Sequence, residues 1–107
     1  DLGNHDLLFG RWTGTEVDVE YVDRSDFSGA DSATAWVGDS PAIVYHDGVN
    51  NDAILAVKEG DEWTLSTHMA DGAVGFNNSL IASGSGQLSW ACFNHTSTDI
   101  VFSRFGL

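Results

Sequence analysis

Apolar and polar positions alternate in short runs along the chain, and a cluster of turn-forming residues closes each run. The stretch YHDGVNNDAILAVKEGDEWT, residues 45–64, is representative: a strand end, a Gly/Asn/Asp turn, a second strand, an acidic turn and the start of a third strand. Runs of this length, rich in β-branched and aromatic residues and bounded by Gly, Asp, Asn and Ser, predict antiparallel strands. No stretch sustains a 3.6-residue period, because Gly or Ser interrupts each candidate. The pattern therefore predicts an all-β chain with almost no helix.

The runs recur. Asp6, Asp52 and Asp99 each precede an apolar run (Leu7-Leu8-Phe9, Ala53-Ile54-Leu55-Ala56 and Ile100-Val101-Phe102), at spacings of 46 and 47 residues. Ala42-Ile43-Val44-Tyr45 matches Ser89-Trp90-Ala91-Cys92 at 47, Asp47 matches Asn94, and Ser32-Ala33-Thr34-Ala35 matches Ser79-Leu80-Ile81-Ala82 at the same offset. Arg11-Trp12-Thr13 and Glu62-Trp63-Thr64 align at 51, which predicts one lengthened loop. Four strand types follow: A (about 32–37 and 78–83), B (41–46 and 87–93), C (6–9, 52–57 and 99–104) and D (11–18 and 62–68). The expected organisation is one β module over residues 1–107. Its blade-like repeats cover about 32–68 and 79–107, and its N-terminal strands 6–18 belong to a neighbouring blade.

Four strands per unit and a period near 47 lie in the range of propeller blades, whose repeats span roughly 40 to 50 residues. The pattern Ile43-Val44-Tyr45-His46-Asp47, Asn50-Asn51-Asp52, Glu62-Trp63-Thr64, Gly72-Ala73-Val74-Gly75 and Ser79-Leu80 resembles a propeller repeat of secreted bacterial and archaeal proteins. In that repeat a Tyr-Tyr-Asp strand end, an Asn-x-Asp turn, a Gly-x-Trp-Thr strand start and a Gly-rich loop alternate. Two departures stand out: Cys92-Phe93-Asn94 replaces Tyr-Tyr-Asp, and the first D-to-A loop is lengthened. The resemblance implies antiparallel four-stranded blades of β-propeller type, about two in this chain, and an extracellular, periplasmic or cell-surface location. It implies a fold rather than an activity. A propeller needs about four to eight blades to close. Faces carrying Trp36, Ile43, Trp63, Leu80, Trp90 and Phe102 are then expected to be partly uncovered, and other protein chains, by self-association or by supplying further blades, become the expected partners. A two-sheet sandwich of the same strands is the rival arrangement.

Charge narrows the partners. Sixteen acidic residues against four basic ones give a net charge of −12, which repels phosphate backbones and argues against nucleic acid. No apolar run approaches the roughly 20 residues of a membrane-crossing helix, so no membrane insertion of that kind is expected. The chain starts at Asp1 without a signal-peptide pattern, as expected of a processed chain or a piece of a longer one. Cys92 is the single cysteine and reads as a buried small hydrophobe.

Candidate chemistry is sparse. The loop Asp47, Asn50, Asp52 offers oxygen ligands of the kind calcium takes, but it lacks a distal bidentate Glu, and hairpin turn chemistry accounts for the same residues without a metal. The histidines His5, His46, His68 and His95 have no metal-ligand spacing and read as turn or strand-end residues. Glu16, Asp18 and Glu20 alternate with Val17, Val19 and Tyr21, which describes a strand with one wet acidic face better than a glycosidase carboxylate pair. No nucleophile is paired with a base, so no catalytic residues and no cofactor are expected. A sugar offers an apolar face and a polar edge, so a lectin needs stacking rings beside directional hydrogen bonds. Trp12, Trp63, Tyr45, Asp47 and Asn94 are the residues of those types at repeat-related positions. The function expected is a non-enzymatic structural or interaction subunit, with a carbohydrate-binding lectin as the alternative.

Overall fold

The computed structural model describes residues 3–107. Among them are nine strands and no helix, and every strand pairing is antiparallel. Strands β1 (Leu7–Trp12) and β2 (Val17–Asp23) form the first sheet. The middle sheet has the order β3 (Ala30–Val37), β4 (Ser40–Asp47), β5 (Asp52–Glu59), β6 (Glu62–Met69). The third runs β7 (Phe76–Ala82), β8 (Gln87–Asn94), β9 (Asp99–Gly106). Three sheets rather than the two of a sandwich are therefore built from these runs.

Two alignments made from sequence change. The D strand expected over 11–18 is instead a hairpin: Trp12 ends β1 opposite Val17, and Thr13 receives the chain back through its N–H to the Glu16 carbonyl at 2.9 Å. The first sheet then matches β5 and β6 at a constant 46 residues. Trp12 stands opposite Val17 as Lys58 stands opposite Trp63, and both pairs shift register at the same place, between Leu7 and Leu8 and between Ala53 and Ile54. No long loop is needed. The offset from β3 to β7 is also 46, because Thr34 sits opposite Ile43 and Leu80 opposite Trp90. The missing residue lies in the next turn: residues 38–39 join β3 to β4, whereas residues 83–86 join β7 to β8, where Ser83 N–H donates to the Gln87 carbonyl and leaves 84–86 as the loop.

The links between sheets also correspond. Ser28 N–H donates to the His5 carbonyl (3.1 Å) and Val74 N–H to the Asn51 carbonyl (3.0 Å), while the Phe27 and Ala73 carbonyls accept from Gly48 and His95 N–H (both 2.9 Å). His5, Asn51 and Thr98, at the ends of successive turns, share a left-handed backbone with φ of 57°, 59° and 58°. Gly29 (φ 89°) and Gly75 (φ 85°) follow the donors. A Cβ at either would lie 3.0 Å from Leu7 Cβ or 3.1 Å from Ala53 Cα, so both the dihedral and the close approach require glycine.

Two cores result. Leu7, Val22, Ile43, Tyr45 and Ala56 join the first and middle sheets, with Phe9, Ile54 and Trp63 packed against them. Ala35, Ala42, Val44, Ala53 and Leu55 meet Leu80, Leu88, Trp90 and Cys92 across the other face of the middle sheet, with Val74 of the link between them. The middle sheet is covered on both faces, which explains why β4 is buried almost throughout and reads as a continuous apolar run. The two outer sheets are covered on one face each.

Candidate functional site

The five residues with lectin-type side chains do not converge. Tyr45 is fully buried between the first and middle sheets, where its hydroxyl donates to Asp23 Oδ2 at 2.6 Å. Burial, and then that bond, push the phenol well above its ordinary pKa. Burial opposes the ionised Asp23 too, but bonds from Ser25 and Tyr45 outweigh it and leave its pKa below the usual value. Trp63 is half-buried against Phe9, with ring centroids 5.3 Å apart, and its Nε1 donates to Glu20 Oε1 at 3.0 Å. Asp47 and Asn94 hold corresponding turns. Asp47 Oδ1 accepts from Val49 and Asn50 N–H (2.9 and 3.4 Å), and Asn94 Oδ1 accepts from Thr96 and Ser97 N–H (2.9 and 3.1 Å). Of the five, Trp12 alone presents an open ring, 65% exposed at the end of β1.

The loop weighed for calcium is organised by the same turn. Asp47 Oδ2 accepts from Asn50 Nδ2 at 2.9 Å, and Asp47 and Asp52 face each other at the strand ends. The histidines fall into packed as well as turn positions. His46 is buried with Nδ1 2.8 Å from the Val74 carbonyl, tying the link to the middle sheet. His68 packs between Trp90, edge to face at a centroid distance of 4.8 Å, and Phe105, tilted at 4.3 Å, and contacts Ser103 Oγ at 3.1 Å; burial lowers its pKa.

β2 departs from the expected wet acidic face at Glu20, while Glu16 and Asp18 are exposed. Val17, Val19 and Tyr21 face outward, while Glu20 points to the middle sheet and accepts from Lys58 Nζ at 2.7 Å as well as from Trp63. Hydrogen bonding from Lys58 outweighs burial and holds the Glu20 carboxyl below its ordinary range. The alternation was legible from sequence, but its direction was not, because Lys58 and Trp63, which receive Glu20, lie 38 and 43 positions away in the middle sheet.

What the geometry brings together is a set of uncovered sheet surfaces. On the third sheet Ile81, Ile100 and Phe102 are 66%, 72% and 63% exposed. By register they correspond to Ala35, Ala53 and Leu55 of the middle sheet, which are 9%, 0% and 7% exposed because the third sheet lies over them. Trp36, expected to be partly uncovered, is exposed, whereas Ile43, Leu80 and Trp90 are buried. Among the described residues no cluster of three His, Cys, Asp or Glu is placed to hold a metal ion. Comparison with protein-family models, curated proteins and solved structures finds no match to this chain.

Proposed function

We propose that the chain is a non-enzymatic β module of propeller type, acting outside the cell or at its surface as a structural or interaction subunit whose outer faces are covered by further sheets. The observation that carries this reading is positional. Side chains that are buried in the middle sheet have counterparts in the third sheet that are larger and open: Ala35 becomes Ile81, Ala53 becomes Ile100 and Leu55 becomes Phe102. A contiguous apolar face of this kind normally marks an interaction site. The sugar-binding alternative has less support, since Tyr45 is buried and the polar groups of Asp47 and Asn94 are spent on turns.

The test extends the stack within one polypeptide. Gly106 corresponds to Glu59 by register, so appending a second copy of residues 60–107 after Gly106 continues the pattern without a break. A cysteine at Phe102 is expected to react with maleimide at least about tenfold more slowly in the extended chain, because reaction then requires local opening of the stack. Equal labelling rates in a folded extended chain would contradict the reading.

A further inference from the structure

The two joints between sheets are held by different chemistry. Between the first and middle sheets the side-chain bonds end on carboxylates of β2. Glu20 Oε1 accepts from Lys58 Nζ at 2.7 Å and Trp63 Nε1 at 3.0 Å, and Asp23 Oδ2 accepts from the Tyr45 hydroxyl at 2.6 Å. The donors come from β4, β5 and β6, so the two latches reach three of the four strands of the middle sheet. Between the middle and third sheets His46 Nδ1 meets the Val74 carbonyl, His68 Nε2 meets Ser103 Oγ, and Asn78 Nδ2 donates to the Asp31 carbonyl. The one carboxylate acceptor across that joint, among the described residues, is Asp31, which takes the Asn77 N–H at an exposed position. Apolar burial differs as well: ten buried residues form the core between the middle and third sheets, against five between the first and middle sheets, so the first joint leans more on its latches.

We propose that acid releases the first sheet from the middle sheet as a unit, through protonation of Glu20 and Asp23, while the middle and third sheets stay stacked. A charge-assisted hydrogen bond is about twice as strong as a neutral one, so each protonation weakens a latch and leaves the apolar contacts to hold alone. Protonated Glu20 also strands the Lys58 ammonium, whose side chain is only 25% exposed. A cleft of about 210 Å³ between β1, β2 and β5 opens Glu20 to solvent, and the charged groups on it besides Glu20 and Lys58 are Arg11 and Asp18. Asp23 faces Tyr45 and Asp47 from β4 and Ser25 from the link, with the Asp6–Arg24 pair flanking it on its own sheet. Hydrogen bonding from Lys58 holds Glu20 below its ordinary 4.5. Burial opposes the ionised Asp23, but bonds from Ser25 and Tyr45 outweigh it and hold its carboxyl below 3.8. The latches are therefore complete above about pH 4.5 and are lost as the pH falls through the lowered folded values. The contribution of His68 to the other joint starts to fall near pH 6.5 instead, and it is common to the wild type and the variants below.

This joint lies inside the chain, so the inference does not depend on what covers the outer faces. A two-stranded hairpin is marginal in water by itself, so release shows as lost amide protection. The test is hydrogen exchange of the full isotope-labelled chain, expressed as protection factors so that the intrinsic pH dependence of exchange cancels. From about pH 5.5 to about pH 3, protection across the β1–β2 ladder is expected to fall at least about tenfold more than protection in β5 and β8. Glu20→Gln combined with Asp23→Asn is expected to lower β1–β2 protection already at the higher pH and to abolish the further fall. Each single variant is expected to reduce the fall, which keeps the test decisive if the double variant does not fold. Glu59→Gln combined with Asp61→Asn, exposed carboxylates at the turn after β5, is expected to leave it unchanged. Equal loss across all three sheets, loss that begins in β7–β9, or an undiminished fall in both single variants would each overturn the inference.

Discussion

Leu55 and Phe102 provide a matched pair for testing how the sheets are covered. They occupy corresponding positions on β5 and β9, opposite Val44 and Ala91, and differ mainly in what lies over them. Leu55 is 7% exposed, so Leu55→Ala removes nearly a whole side chain from a packed core, at a cost of about 2 to 5 kcal/mol. A fully buried Phe truncated to Ala costs about 3 to 5 kcal/mol, but Phe102 is 63% exposed, and scaling by the covered third leaves about 1 to 2 kcal/mol. For a domain of this size about 1 kcal/mol shifts the melting midpoint by roughly 4 to 8 °C, so the two variants should separate clearly in thermal melts. Urea unfolding at low protein concentration supplies the free energies directly and excludes assembly from the comparison. Equal destabilisation would refute the reasoning, since it would mean that the larger exposed ring is as well packed as the smaller buried one.

Three further outcomes follow from the inner contacts. Tyr45→Phe should cost about 1 to 3 kcal/mol, because the Asp23 carboxylate loses a donor in a part-buried site, and urea titration of the variant checks it. His68 has its folded pKa lowered below the ordinary 6.5 by burial, so its contribution is complete above about pH 6.5 and is lost as the pH falls through the folded value. Melting midpoints from pH 7.5 to 5 should therefore decline less in His68→Gln, and an unchanged slope would remove His68 from the account. Sodium chloride should raise stability smoothly by screening the charge of −12, whereas calcium at constant ionic strength should give no saturable gain; a micromolar calcium step that Asp52→Asn removes would make the Asp47–Asp52 turn a metal site.

Much of the fold was legible because turn residues and alternation are local. The Gly/Asn/Asp turn at 48–51 and the acidic turn at 60–61 bound β5 as the sequence suggests. The errors arose where local likeness competed with pairing. Trp12-Thr13 resembles Trp63-Thr64, yet Thr13 closes a hairpin with Glu16, and Trp12 belongs one strand earlier. The one-residue difference between the turns at 38–39 and 84–86 is invisible until the strands are set in register. The direction of alternation in β2 was lost for a further reason: Glu20 faces inward because Lys58 and Trp63 of another sheet receive it, a partnership 38 and 43 residues distant. The candidate sugar-binding residues were recognised by type alone, and type does not distinguish a platform from a core ring such as Tyr45, or a ligand from a turn-former such as Asp47 or Asn94.

The central claim is that the outward face of the third sheet is a surface to be covered, and the mass of the purified chain in solution tests it most directly. Light scattering on a gel-filtration peak at moderate salt should give a species heavier than the 11.5 kDa chain, and Ile100→Lys combined with Phe102→Lys should shift it toward the monomer, because two charges on that face oppose its burial. A wild-type chain that stays at 11.5 kDa across the concentration range, unfolds cooperatively and is unaffected by the two lysines would contradict the account.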